Sequence, residues 1–132
     1  MVHYQHRGVA KSLLRCYYRM ADVMLVTPFK DGMNLVAKEY VACHDDGSGA
    51  LVLSEFAGAA DELNQAYLCN PFDIESVKAA LLNALKALDD APSTMTQRML
   101  TMHQQVTEHD VQLWSQSFLG CLRQAEEQGA GA

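Results

Sequence analysis

Apolar and polar positions follow two alternating rhythms along this chain. Residues 10–20 (AKSLLRCYYRM) are apolar at helical spacing, with Leu13, Leu14, Tyr17 and Met20 on one face. The run DVMLVT at 22–27 reads as a short strand buried on both faces. Pro28 and the pair Asp31 and Gly32 mark a turn, after which 34–43 (NLVAKEYVAC) returns to helical spacing. DDGSG at 45–49 is a loop. A strand is predicted over 51–54, a short helix over 57–63 and a strand over 67–69, closed by Asn70 and Pro71. Asp73 is a helix N-cap, and Val77, Leu81, Leu82, Leu85 and Leu88 recur through a helix over 74–88. Helices are predicted over about 94–108 and 110–125, the last with a stripe of Val111, Trp114, Phe118, Leu119 and Leu122. Residues 3–6 read as one more short strand.

Strands alternating with helices of about ten residues predict right-handed βαβ units, hence an α/β chain built on a mainly parallel sheet. Ligands of such sheets bind outside the carboxyl ends of the strands. The loops that follow the strands are therefore where chemistry is expected.

Composition narrows the range of functions. The chain has 132 residues, enough for one domain, with 49% apolar and 20% charged residues. No apolar run approaches the length of a membrane span, and the first residues lack the charged-then-apolar layout of a signal peptide. Sixteen acidic against ten basic residues argue against nucleic-acid binding. Cys16, Cys43, Cys69 and Cys121 form no CxxC pair, so four reduced thiols serving as small buried hydrophobes are expected, in a cytoplasmic protein. The methionines are expected to fill cores. His3, His6, His103 and His109 lack metal-ligand spacing, and His44 reads as a loop residue. The serines have neither a GxSxG setting nor a paired histidine, so no hydrolase is expected. Six of the ten bases but only two of the sixteen acids fall within 1–38, an asymmetry that marks either an anion-facing side or, for Lys11, Arg15 and Arg19, a solvated helix stripe.

The segment LVTPFKDGMNLVAKEY at 25–40 concentrates the candidate chemistry. A strand, a turn and a helix start bring the free N–H groups of residues 33–36 to the ligand end of the sheet, where a helix N-terminus favours an anion. Gly32 lets a ligand approach the backbone, and the carboxylates of Asp31 and Glu39 can accept hydrogen bonds from hydroxyls. Spacing alone leaves an alternative, in which Asp31 caps the helix and Glu39 lies on the surface. SEFAGAA at 54–60 reads as a tight strand-to-helix turn in which the small residues serve close packing, with direct contact to a ligand as the alternative.

DGMNLVAKEYVA at 31–42, with ADVMLVTP before it, LVLSEFAGAADEL at 51–63, YxHRGV at 4–9 and NPFD at 70–73, resembles trehalose-6-phosphate synthases. The resemblance covers about 1–123 and corresponds to the carboxyl-terminal part of a much longer chain. It implies a retaining glycosyltransferase of two Rossmann-like domains, moving glucose from UDP-glucose to glucose 6-phosphate without a metal or other cofactor. This chain would supply the later half of the donor-binding domain, with 1–128 as a partial nucleotide-sugar-binding domain, a helical carboxyl-terminal end and a frayed tail at 129–132. By the same resemblance Asp31 binds the glucose hydroxyls. Gly32, Met33, Asn34, Leu35 and Val36, continuing into Ala37 and Lys38, hold glucose and diphosphate. Glu39 holds the ribose, and Val9 lies where the uracil packs. The acceptor domain and the first strands of the donor domain fall outside the match. The isolated chain is therefore expected not to turn over, and to self-associate through surfaces left unpaired. Two other readings stand beside this one: a non-catalytic module or partner of a full-length enzyme, and part of a glucosylglycerol-phosphate synthase.

Overall fold

The computed structural model describes residues 1–108, 115, 116, 119 and 120. Among the described residues the elements in order are α1 (Lys11–Met20), β1 (Val23–Val26), α2 (Leu35–Ala42), β2 (Ala50–Ser54), α3 (Ala59–Glu62), β3 (Tyr67–Cys69), α4 (Ile74–Asp90) and α5 (Pro92–Glu108). The three strands form one parallel sheet in the order β1-β2-β3, with Val26 opposite Leu53 and Leu53 opposite Leu68. This is the α/β architecture that the alternating pattern predicts. The predicted helix over 110–125 lies largely outside the described residues, as do Trp114, Phe118, Leu122 and the tail.

Strand β2 is the centre, and all five of its residues are buried. Its alternating side chains feed two cores, as the two-residue period of a strand requires. Leu51 and Leu53 pack with Tyr18, Ala37, Tyr40, Val41, Met99 and Met102 on one face. Ala50 and Val52 pack with Cys69, Ala80, Ala84 and Met95 on the other.

Several expectations change at the edges. Strand β1 is not buried on both faces: Leu25 is 44% exposed, and among the described residues β1 is an edge strand paired with β2. Residues 3–6 form no strand and lie exposed, and among the described residues no neighbour completes a ladder with them. Helix α1 turns Tyr18 and Leu14 inward, one helical turn apart, and leaves Leu13, Tyr17 and Met20 exposed. In α4 the alanines Ala80 and Ala84 are buried, while Leu82 and Leu85 face outward, since small side chains let the helix sit close to the sheet. Asp73 does cap α4, accepting the Glu75 N–H at 3.0 Å.

His44 is a loop residue, as the sequence predicts, but a buried one. Its Nδ1 lies 2.8 Å from the Tyr40 carbonyl, and its ring lies 4.3 Å from that of Tyr40. Gly49, at φ +78°, runs beneath both rings, where a side chain would collide with them. Of the cysteines, Cys69 is buried, Cys43 is half-buried and Cys16 is exposed, so Cys16 is not the buried hydrophobe expected; Cys121 lies outside the described residues. Met95, Met99 and Met102 fill the core, whereas Met1, Met20 and Met33 are exposed.

The α2–β2 loop is tied to α1 by Arg19. Its Nη1 donates to the Cys43 carbonyl at 2.7 Å, and its two nitrogens donate to the Asp46 carboxylate at 3.0 and 2.8 Å. Asp46 also accepts the Ser48 hydroxyl at 2.7 Å and the Ser48 N–H at 3.0 Å. The Ser48 groups, and after them Arg19, hold its carboxyl down at about 2. Among the described residues no helix is long and apolar enough to cross a membrane.

Candidate functional site

Three loops leave the carboxyl ends of the three strands, and the first carries most of the predicted residues. Within it, Asp31 folds back on its own backbone. Its Oδ1 accepts the Met33 N–H at 3.1 Å, and its Oδ2 accepts the Asn34 side-chain amide at 3.0 Å. Asn34 then caps α2, its Oδ1 accepting the Ala37 N–H at 2.9 Å. Asn34 sits at φ +78°, in the left-handed region that asparagine tolerates better than most residues. The cap is thus Asn34, and Asp31 braces it. The alternative reading, in which Asp31 caps the helix, is corrected: the cap lies three residues on, at Asn34. The signal was present, since asparagine before an apolar helical run is a preferred N-cap.

The N–H groups of Leu35 and Val36 have no acceptor earlier in the helix, as at any helix start. They lie beside Met33, Leu35 and Val36 side chains that are themselves exposed. The first turn of α2 therefore offers unsatisfied donors, the positive end of the helix dipole and an adjacent carboxylate. An anion bearing hydroxyls suits that combination. Gly32 has open space where a Cβ would stand.

The second loop holds the first from behind. Asp31 N–H donates to the Phe56 carbonyl at 3.3 Å, Gly58 N–H to the Asp31 carbonyl at 2.9 Å, and Ala59 N–H to the Met33 carbonyl at 2.7 Å. An isolated parallel bridge pairs Asp31 with Ala57. The buried Ser54 Oγ accepts the Phe56 N–H at 3.1 Å and shapes this turn. The small residues of 57–60 thus serve the close packing that the sequence predicts. The third loop adds an aromatic contact. Phe29, Phe56 and Phe72, one from each loop, meet with Phe29 stacked on Phe72 at 4.8 Å and Phe56 edge-on to Phe72 at 5.7 Å. All three are exposed, by 63%, 43% and 69%.

Glu39 lies apart from the Asp31 loop, on the outer side of α2. Its Oε2 accepts the Tyr18 hydroxyl at 3.2 Å, at the wall of a groove of about 550 Å³ between α1 and α2 that Lys11 and Arg15 also line. Burial, and then the Glu39 carboxylate, hold the Tyr18 hydroxyl above its ordinary range. Val9 is half-buried just ahead of α1. Two predicted residues stand away from the open surface. Ala37 is fully buried with its N–H taken by Asn34, and Lys38 directs its Nζ to Glu62 Oε2 at 2.7 Å with its side chain only 17% exposed. Among the described residues, no three histidine, cysteine or acidic side chains gather as metal ligands.

Comparison with known proteins gives the family. The model of glycosyltransferase family 20 matches residues 1–124. The trehalose-6-phosphate synthase of Mycobacterium tuberculosis (strain ATCC 25618 / H37Rv) is 52% identical over 131 residues, which are 99% of this chain and 26% of that protein. A solved E. coli structure bound with UDP-2-fluoro glucose matches with a TM-score of 0.82 at 42% identity, over 92% of this chain and 27% of that one. The Burkholderia xenovorans alpha,alpha-trehalose-phosphate synthase (UDP-forming), in complex with glucose-6-phosphate, matches with a TM-score of 0.79 at 43% identity, over 89% of this chain and 26% of its own. The chain spans about a quarter of the length of the curated relatives it matches. With a family model matched across nearly its whole length, the chain belongs to glycosyltransferase family 20.

Proposed function

We propose that this chain is the UDP-glucose-binding part of a trehalose-6-phosphate synthase, acting in the cytoplasm. In that enzyme glucose passes from UDP to glucose 6-phosphate with its anomeric configuration retained. The observation that carries the reading is the Asp31–Asn34 loop at the carboxyl edge of the sheet. It sets a carboxylate, an open glycine and the unsatisfied N–H groups of a capped helix side by side. The Asp31 carboxylate takes glucose hydroxyls, and the backbone from Gly32 to Val36 takes the diphosphate. Charge grows on the leaving UDP as the glycosidic bond breaks, and the dipole of α2 stabilises it there. Glu39, at the α1–α2 groove, takes the ribose hydroxyls, with the base near Val9. The kinship with structures bound to UDP-2-fluoro glucose and to glucose-6-phosphate supports this assignment. No metal enters it.

The glucose 6-phosphate site belongs, in this reading, to parts of the enzyme beyond the quarter matched here, so the 132-residue chain binds donor without transferring glucose. The three exposed phenylalanines favour weak self-association of the chain, which light scattering at high concentration measures; a clean monomer there removes that part of the reading.

Calorimetric titration with UDP-glucose and with UDP tests the donor site, with Asp31→Ala and Glu39→Ala as variants. Binding by the wild-type chain that weakens in both variants is the expected result. A folded wild-type chain that binds neither ligand overturns the proposal and favours a non-catalytic module instead.

A further inference from the structure

We propose that Gly58 is a positioning residue for the donor loop. Its lack of a side chain lets the second loop seat the Asp31–Met33 backbone in binding geometry from the side opposite the ligand. The inference rests on the donor-site reading above and adds to it a residue of a different element.

Gly58 is not a glycine for conformational reasons, since its φ of −59° and ψ of −26° suit any residue. Space is the reason. A Cβ there would fall on the Gly32 carbonyl oxygen and within 2.8 Å of the Gly32 carbonyl carbon. These are backbone atoms, which cannot rotate away as the end of a side chain can. The contact is bracketed by two hydrogen bonds, from Gly58 N–H to the Asp31 carbonyl at 2.9 Å and from Ala59 N–H to the Met33 carbonyl at 2.7 Å. Three consecutive carbonyls of the donor loop, those of Asp31, Gly32 and Met33, are therefore set by two consecutive residues of the second loop.

At Gly32 itself the loop is open: among the described residues nothing lies within 4 Å of a Cβ placed there. The loop is thus gripped on one side and open at Gly32, as suits a peptide whose N–H groups must hold a ligand in fixed geometry. A Gly58 methyl group would push Gly32 and Met33 toward the open side. It would carry the Asp31 carboxylate and the Asn34 cap with them, since Asp31 bonds to both Met33 and Asn34. Displacements of about 1 Å in a positioning element cost up to about a hundredfold in function.

The test compares Gly58→Ala with Gly47→Ala. Gly47 lies at φ +75° against Thr96 and Leu100 of α5, so its substitution strains the fold at a place remote from the loop. UDP-glucose affinity is measured by calorimetry at a temperature where both variants are folded. The expected result is a loss of about tenfold or more for Gly58→Ala and an affinity within about twofold of wild type for Gly47→Ala. A folded Gly58→Ala chain that binds like wild type overturns the proposal. A wild-type chain that binds no UDP-glucose overturns the donor-site reading, and this proposal with it. Should Gly58→Ala fail to fold, amide hydrogen exchange in the wild-type chain decides. Slower exchange at Gly58 and Ala59 on adding UDP-glucose sustains the proposal, and unchanged exchange at both overturns it.

Discussion

The Tyr18 hydroxyl stands 3.2 Å from Glu39 Oε2, so a ring rooted in the core beneath α1 holds a carboxylate carried by α2. Without that bond Glu39 would be an ordinary exposed side chain with several rotamers. Tyr18→Phe keeps the ring and removes only the hydroxyl. A hydrogen bond to a partly exposed carboxylate contributes about 1 kcal/mol, so UDP affinity is expected to fall about fivefold with little change in melting temperature. Calorimetry and thermal unfolding of the same variant check both halves, and a large fall in stability with unchanged affinity would contradict the role given to Tyr18.

Asn34 combines a cap with a left-handed backbone, and two substitutions separate these contributions. Asn34→Gly loses the side-chain bond to Ala37 but accepts φ +78° freely. Asn34→Ala loses the bond and strains the backbone. The alanine variant is expected to lose about 2 kcal/mol and the glycine variant less than about 1 kcal/mol. Urea unfolding gives the order, and alanine proving the milder change would show that the left-handed conformation is not what asparagine is there to supply.

Lys38 presents a choice between two roles that its position in the DGMNLVAKE motif does not settle. The resemblance places it among residues that hold the donor, whereas its ammonium pairs with Glu62 at 2.7 Å. Lys38→Met keeps the aliphatic stem. With the ion pair as its role, the variant loses about 1 kcal/mol of stability while UDP-glucose affinity stays within about twofold. An affinity loss of tenfold in a chain of normal stability would assign the ammonium to the ligand.

Asp46 gives the fold a pH dependence of definite sign. Its carboxyl is held from 3.8 down to about 2 by Ser48 and then by Arg19. A depressed carboxyl pKa contributes stability that is present above the unfolded value and lost as pH falls through the folded one. The urea midpoints of wild type and Asp46→Asn are therefore expected to differ above about pH 4 and to converge as pH falls toward about 2. A constant gap across that range would mean that the interactions of Asp46 do not depend on its charge.

Where the sequence was legible, the cause was local. The run at 51–54 reads as a strand from its own residues, and Asp73 ahead of an apolar helix reads as a cap. The Asp31–Glu39 segment stood out because turn, glycine and helix start are written in consecutive residues. The rest depended on partners distant in sequence. Helix α1 has apolar residues enough for two faces, and only its packing on α2 selects Leu14 and Tyr18 over Leu13 and Tyr17. His44 is buried because Gly49 brings the chain back over it. The grip of the second loop on the first runs between backbone atoms, which leave no mark in side-chain pattern beyond a run of small residues. Residues 3–6 have the composition of a strand, but a strand is a property of two segments and not of one.

The three phenylalanines have a further consequence. Because each ring belongs to a different strand-end loop, their contacts through Phe72 register the relative position of all three loops at once. A shift of any one loop changes the magnetic shielding between Phe72 and Phe29 or between Phe72 and Phe56. The aromatic proton resonances of Phe29, Phe56 and Phe72 are thus an internal gauge of site geometry, readable in solution without a probe attached and before any substrate is added.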